Sequence, residues 1–125
     1  MDVARSSDSM PGVDMTVLLN ILKTYAFYNP EIEYCQGMNF VCGFLLQVYK
    51  DEEKAFKALQ GLGKKQNMSE LFNKDLPMLK LYFLQMDRML GIVDSELFEH
   101  FDSLQISASF YSSSWFITLF TSVLK

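Results

Sequence analysis

Apolar residues recur at steps of three and four along most of the chain, the spacing that places side chains on one face of an α-helix. The first such series, between Asp14 and Asn29, comprises Val17, Leu18, Ile21, Leu22 and Tyr25. Asp14 can cap the start of a helix, and Asn29 precedes Pro30, which pushes the residue before it out of the helical region. These positions predict a first helix with one buried face.

A second helix is predicted from Cys35 to Tyr49, where almost every residue is apolar. A helix that lacks a polar face in a soluble protein lies at the centre of the packed helices. Gly43 lies inside this segment, and its missing side chain allows a neighbouring element to approach closely. We therefore expect this helix to be the central one.

Caps and breakers predict the helices that follow. The acidic run at 51–53 suits the start of a third helix, which Gly61 or Gly63 would end. Ser69 is suited to cap a short fourth helix that extends through Phe72.

Three more helices are predicted in the second half of the chain. Asp75 and Pro77 begin a longer helix that Gly91 ends, and Asp94 caps a shorter one. A serine-rich link at 107–114 then precedes a last helix. The residues expected to face inward from that helix are Trp115, Phe116, Leu119, Phe120 and Val123.

No stretch alternates apolar and polar residues with the period of two that indicates a half-buried β-strand. We therefore predict an all-α fold, a compact array of six to seven helices. The last ten residues are largely apolar, and a helix of this kind normally packs against something. It either folds back on the helices before it or meets a partner that lies beyond the end of this sequence.

Composition and charge exclude several classes of protein. The 125 residues are 50% hydrophobic, which is too apolar for a disordered chain and enough for the core of one domain. A net charge of −4 argues against nucleic acid or an anionic membrane surface as the main partner. The N-terminus is polar, unlike a signal peptide, and the longest apolar run, 40–46, is far shorter than the ~20 residues of a membrane span.

The two cysteines favour a reducing compartment. On one helix, Cys35 and Cys42 would lie ~10 Å apart, too far for a disulfide, so we expect reduced thiols in a cytoplasmic protein. With His100 as its single histidine, the chain offers no zinc-ligand cluster, and it has no glycine-rich phosphate loop or nucleophile elbow. These features alone indicate a soluble helical domain.

The segment at 34–39, Tyr-Cys-Gln-Gly-Met-Asn, adds a specific signal. Together with Tyr-Ala at 25–26 and Asn-Pro-Glu at 29–31, it closely resembles the signature region of the TBC domain family, the GTPase-activating proteins of Rab-type small GTPases. Asp-Val-Ala-Arg at 2–5 fits the Asp-x-x-Arg half of the family's arginine motif. The segment at 114–120 resembles the family's downstream Trp-Phe-x-Thr-Leu-Phe sequence.

The resemblance implies that Arg5 and Gln36 are catalytic residues that act in trans on a partner GTPase. Arg5 would contact phosphate oxygens, a contribution worth ~10³–10⁵ in rate for other GTPase activators, and Gln36 would position the attacking water. Asp2, one helical turn before Arg5, would hold the arginine ready, and Tyr34 would brace the loop that presents Gln36. Gly37 would remove bulk where two proteins and a nucleotide converge.

The resemblance further implies that residues 1–125 are a partial TBC domain, in which the polar lead-in at 1–13 carries the arginine and the family's C-terminal half is absent. The expected partner is a GTP-loaded Rab-family GTPase. No cofactor of its own is expected, since GTP and Mg²⁺ belong to the partner. The expected location is cytoplasmic, with recruitment to endomembranes through that partner.

Two other interpretations compete with this one. The chain could be a non-catalytic TBC-like interaction module that binds a small GTPase or another protein without accelerating hydrolysis. It could also be a plain helical scaffold, in which Arg5 belongs to a solvated terminus and Gln36 is an ordinary surface residue.

Overall fold

A computed structural model describes residues 10–30, 32, 34–65, 68–72 and 76–124. These residues form seven helices: α1 Met15–Tyr28, α2 Met38–Tyr49, α3 Glu52–Lys65, α4 Met68–Leu71, α5 Pro77–Val93, α6 Ser95–Ser103 and α7 Ala108–Ile117. The described ranges contain no β-strand, although Ile32 forms an isolated bridge. The predicted all-α fold class and the number of helices are confirmed.

The helices pack as two groups that α4 connects. The first helix group consists of α1, α2 and α3, each of which contacts the other two. In the second helix group, α5 contacts both α6 and α7, and α4 contacts both α3 and α5. The main apolar core lies in the first group.

Polar caps fix the start of two helices where the sequence predicted them. Asp14 accepts hydrogen bonds from the backbone N–H groups of Thr16 at 2.8 Å and Val17 at 3.4 Å, at the start of α1. Asp94 likewise accepts one from the N–H of Leu97 at 3.0 Å, at the start of α6. Each carboxylate satisfies an N–H group that has no partner within its own helix.

The core side of α2 is buried against its neighbours, as its apolar composition predicts. Met10 is also buried, and its thioether fills the space where a side chain on Gly43 would lie. The expectation of a helix covered on all sides is wrong, however. Phe44 and Val48 are about half exposed on the other side of α2.

Three glycines that were expected to end helices lie inside them. The α3 helix runs through Gly61 and Gly63 to Lys65, and α5 runs through Gly91 to Val93. A Cβ at Gly63 would lie only 2.5 Å from the hydroxyl of Tyr25 on α1. This glycine permits close packing between two helices, and it does not act as a stop. The small α4 begins at Met68, one residue before the predicted cap at Ser69, and Asp75 lies outside the described residues.

The serine-rich stretch at 107–114 is mostly helix, contrary to the predicted link. It forms the start of α7, whose first residue, Ala108, donates its N–H to the carboxylate of Asp87 on α5 at 2.8 Å. Ser112 is buried, and its hydroxyl donates to the carbonyl of Ala108 at 2.6 Å. Serine satisfies its own hydroxyl within the helix in this way, so a run of serines does not have to break it.

The apolar segment after α7 does not form the predicted helix. Residues 118–123 form turns, and both Leu119 and Phe120 have left-handed backbones with φ of 50° and 63°. Trp115 and Phe116 are partly buried as expected, whereas Leu119, Phe120 and Val123 are exposed. In the described ranges, no helix combines the length and the apolar character needed to cross a membrane.

Candidate functional site

Gln36 lies in a tight turn that leads into α2, which we call the glutamine turn and define as residues 35–39. Gln36 and Gly37 form its tip, and the N–H of Met38 donates back to the carbonyl of Cys35 at 3.1 Å. The side chain of Gln36 is exposed. The second helix therefore begins at Met38, three residues later than the predicted start at Cys35. Gln36 lies in the turn that precedes the helix.

Gly37 sets the backbone direction of this turn. Its φ is +119°, a conformation that residues with a side chain rarely adopt, and the residue is buried. A Cβ here would overlap the side chain of Ile117 and would lie 3.3 Å from the γ-methyl of Thr118. Glycine is thus required both by the backbone angle and by the end of α7. Its predicted role toward a partner protein stays a prediction.

Asn39 holds the turn from the inside. Its side chain is 1% exposed, and its Oδ1 accepts a hydrogen bond from the N–H of Gly37 at 3.1 Å. Gly37 has no side chain with which to cap α2, and Asn39 instead binds the N–H of Gly37 itself. Sequence reasoning gave Asn39 no role. The available signal was a glycine at a helix start, followed two residues later by asparagine.

The end of α7 backs the turn from the other side. The hydroxyl of Thr118 donates to the carbonyl of Ser114 at 2.6 Å and lies 2.8 Å from the hydroxyl of Ser122. Thr118 is buried, so these bonds hold its methyl group against Gly37. The segments at 34–39 and 114–120, which carried the family resemblance, are therefore in direct contact.

The two thiols are free and uncharged at neutral pH. The N–H of Cys35 points to the sulfur of Met38 at 3.4 Å, and its thiol lies 3.7 Å from the carbonyl of Gln36. Burial raises the pKa of Cys35, and it raises the pKa of Cys42 to about 12. Both are free cysteines, in line with the prediction that they form no disulfide.

The remaining predicted site residues divide into two sets. Tyr34 is partly buried and packs against the main core, just before the glutamine turn. Asp2 and Arg5 lie outside the described residues, so their position relative to Gln36 is not part of the structure. The predicted roles of all three stay predictions.

A surface cavity of about 730 Å³ lies away from the glutamine turn, at the opposite end of α2. Its lining includes Asp14 and Asp51, whose carboxylates already cap α1 and α3. Gln47 also lines it and donates to the carbonyl of Pro11 at 3.1 Å. These polar groups are engaged in holding the fold. In the described part of the chain, no group of three or more metal-ligating side chains is found.

The glutamine turn can therefore present one carboxamide, a group with both donors and an acceptor, from a backbone held on two sides. Such a group can orient a water molecule or a phosphate oxygen that a partner brings. It has no acidic or basic strength of its own. Any reaction at this turn must take place on groups supplied by another molecule.

Comparison with known proteins yields one family and several relatives. The family model of the Rab-GTPase-TBC domain matches residues 2–125. TBC1 domain family member 1 of Homo sapiens is 35% identical over 111 residues, which make up 89% of this chain and 9% of that protein. GTPase-activating protein GYP5 of Eremothecium gossypii is 40% identical over 103 residues, covering 82% of this chain and 12% of the relative.

Rab GTPase-activating protein eat-17 of Caenorhabditis elegans is 34% identical over 109 residues, or 87% of this chain and 12% of that protein. The chain thus spans about a tenth of the length of these curated relatives. The likeness covers the glutamine turn, since the family match extends over almost the whole chain.

Proposed function

Because this chain belongs to the Rab-GTPase-TBC domain family, we propose that it forms the catalytic part of a GTPase-activating protein for a Rab-type small GTPase. Gln36 and Arg5 enter the nucleotide site of the GTP-loaded partner. The partner supplies GTP and Mg²⁺, and the chain needs no cofactor of its own. Two of its relatives are named as GTPase-activating proteins, one of them for Rab GTPases.

The observation that carries this proposal is the exposed carboxamide of Gln36 on a turn with a buried backbone. Gly37 is held by a hydrogen bond from one side and by van der Waals contact from the other. A group that is already oriented loses less entropy when it meets its target, which lowers the barrier of the reaction it assists. An ordinary surface glutamine has no need of such support.

Chain length supports the second part of the proposal. Met10 is buried against Gly43, which lies six positions along α2 from Gly37, or ~9 Å at the rise of an α-helix. The five peptide steps from Met10 back to Arg5 can span up to ~18 Å. This chain length is sufficient for Arg5 to reach Gln36, and in this proposal Asp2 orients the arginine.

The chemistry divides between the two side chains. Water attacks the γ-phosphorus while the bond to the bridging oxygen of GDP breaks, and negative charge spreads over the phosphate oxygens. The guanidinium of Arg5 stabilises that charge with a planar set of donors that lysine lacks. The carboxamide of Gln36 accepts a hydrogen bond from the attacking water and so aligns it with phosphorus.

The test is single-turnover phosphate release from a panel of GTP-loaded Rab proteins. We expect Arg5→Ala and Gln36→Ala each to abolish the stimulated rate, with helical content unchanged. Matched controls are Arg88→Ala and Gln85→Ala, both at exposed positions on α5, which should keep the full rate. If the two site variants stimulate hydrolysis as well as the parent does, the proposal is wrong.

The same assay separates catalysis from binding alone. If the parent chain binds GTP-loaded Rab but does not accelerate phosphate release, it is an interaction module and the catalytic proposal is wrong. Recruitment to endomembranes is part of the proposal and follows from the partner. It predicts that membrane association is lost when Rab binding is lost.

A further inference from the structure

We propose that Asn39 is a positioning residue that sets the direction in which Gln36 points. This inference rests on the proposed function. Asn39 is fully buried, and its Oδ1 accepts the N–H of Gly37, the residue directly after Gln36. Asn39 itself lies in the first turn of α2, a helix packed against α1 and α3. It therefore connects the turn to the helices that form the main apolar core.

The need for such a residue follows from the backbone of Gly37. Glycine can adopt a much wider range of φ and ψ than other residues, so Gly37 alone would leave the turn free to swing. Its N–H is also buried, and a buried donor without an acceptor is strongly unfavourable. The hydrogen bond to Asn39 satisfies this donor in one conformation, the one in which Gln36 is exposed.

Contact with α7 completes the restraint. Ile117 and Thr118 occupy the space where a side chain on Gly37 would lie, so packing opposes a shift of the turn toward α7. Thr118 is itself fixed by its bond to the carbonyl of Ser114. Gly37 is therefore restrained both by packing and by a hydrogen bond, and both restraints oppose a displacement of Gln36.

Two substitutions that keep the number of side-chain heavy atoms distinguish the acceptor oxygen from the bulk of the side chain. Asn39→Leu fills the space but removes the oxygen that accepts the N–H of Gly37. Asn39→Asp keeps that oxygen, and a negative charge is favourable at the start of a helix. A purely structural role as a core side chain would tolerate leucine better than a buried carboxylate. A positioning role predicts the opposite order.

The experiment uses the whole chain and a GTP-loaded Rab that the parent activates. It measures the hydrolysis rate at saturating activator and, separately, the activator concentration that gives half of that rate. We expect Asn39→Leu to lower the saturating rate about 10²-fold, the order expected for a reacting group misplaced by 1 Å, while the half-saturating concentration stays the same. Asn39→Asp should restore most of the rate.

A stability control separates positioning from a general loss of fold. Ile21→Val, a mild change in the buried face of α1, serves as a control that lowers stability without lowering the saturating rate. Circular dichroism and thermal unfolding establish that each variant is folded at the assay temperature.

The outcomes are distinct. A folded Asn39→Leu with the full saturating rate overturns the inference, as does a folded Asn39→Asp that is no faster than Asn39→Leu. If Asn39→Leu does not fold, the result for Asn39→Asp tests the inference. A large loss of saturating rate in a folded Asn39→Asp contradicts the role of the acceptor oxygen. If Gln36→Ala itself keeps the full rate, the proposed function fails first. If Gln36→Ala lowers the saturating rate and Asn39→Leu does not, the positioning role of Asn39 is wrong and the proposed function stands.

Discussion

The two helix groups bury their apolar residues to very different extents. In α1, α2 and α3, leucine, isoleucine and valine side chains form a shared core in which Leu18 is 0% exposed. In α5, α6 and α7, the fully buried residues are Leu79, Ala108 and Ser112, whereas Ile92 is 85% exposed. Similar overall hydrophobicity therefore does not give similar packing.

Aromatic rings hold the second helix group together in place of a deep aliphatic core. Phe116 on α7 lies 5.2 Å from Tyr82 and 6.4 Å from Phe83 on α5, between ring centroids. Tyr111 lies 5.7 Å from Phe101 on α6. Such ring pairs contribute ~0.5–1.5 kcal/mol each beyond the area they bury. We therefore expect the first group to carry most of the stability.

The glutamine turn lies where the two groups meet, with its helix in the first and its backing in the second. Asn39 belongs to α2, and Ile117 ends α7. A change in either group can therefore reach Gln36. This arrangement makes the comparison testable, since packing, turn and caps should respond with different magnitudes.

The largest expected effect is on core packing. Leu18→Ala should lower the free energy of unfolding by ~2–5 kcal/mol, because it removes a fully buried side chain and leaves a cavity. Ile92→Ala, at an isoleucine of α5 that is 85% exposed, should change it by less than ~0.5 kcal/mol. Chemical denaturation followed by circular dichroism measures both. Equal losses would contradict the difference in burial between the two groups.

The next effect concerns the glutamine turn. Gly37→Ala places a side chain on a residue with a left-handed backbone and presses it against Ile117. This should lower the free energy of unfolding by at least ~1–3 kcal/mol. Gly61→Ala is the matched control, because no atom lies within 4 Å of its Cβ position inside α3. That variant should gain ~0.5–1 kcal/mol. Thermal unfolding compares the two, and a neutral Gly37→Ala would contradict the close contact with α7.

The smallest effect separates capping from packing. Asp14→Ala and Asp94→Ala each remove a cap, one from each helix group, and each should cost ~1 kcal/mol. Asp102→Ala, at an exposed position in the last turn of α6, should change stability by less than ~0.5 kcal/mol. Urea unfolding gives the three values. If Asp94→Ala lowered the free energy of unfolding several times more than Asp14→Ala, the second helix group would contribute more to stability than we expect.

Local sequence signals were sufficient to predict where helices begin. They were not sufficient to predict whether a glycine ends a helix or lies inside it. Asp14 and Asp94 were predicted as caps because a cap depends on the residues next to it. Gly61, Gly63 and Gly91 were misread as stops, because the same residue ends a helix or admits a neighbour depending on what packs there. Which element packs against a glycine depends on the tertiary structure, and a single sequence does not show it.

The candidate site shows the same division. Gln36 was selected from the segment at 34–39, and the structure places it at an exposed position. Its role toward a partner stays a prediction. Asn39 was missed, since its role depends on burial and on one hydrogen bond that the letters do not reveal. The family resemblance, not the periodicity, supplied the hypothesis of a GTPase activator. The place of Arg5 could not be tested, because it lies outside the described residues.

The contact between Gly37 and Ile117 also has a consequence for the order of assembly. The two residues are about 80 positions apart, so at a ribosomal rate of ~5–20 residues per second the glycine is made roughly 4–16 s before its neighbour. A nascent chain in that interval has the signature segment but not its support. In the proposed mechanism, Gln36 would therefore gain its full support only after α7 has been made and has packed against the glutamine turn.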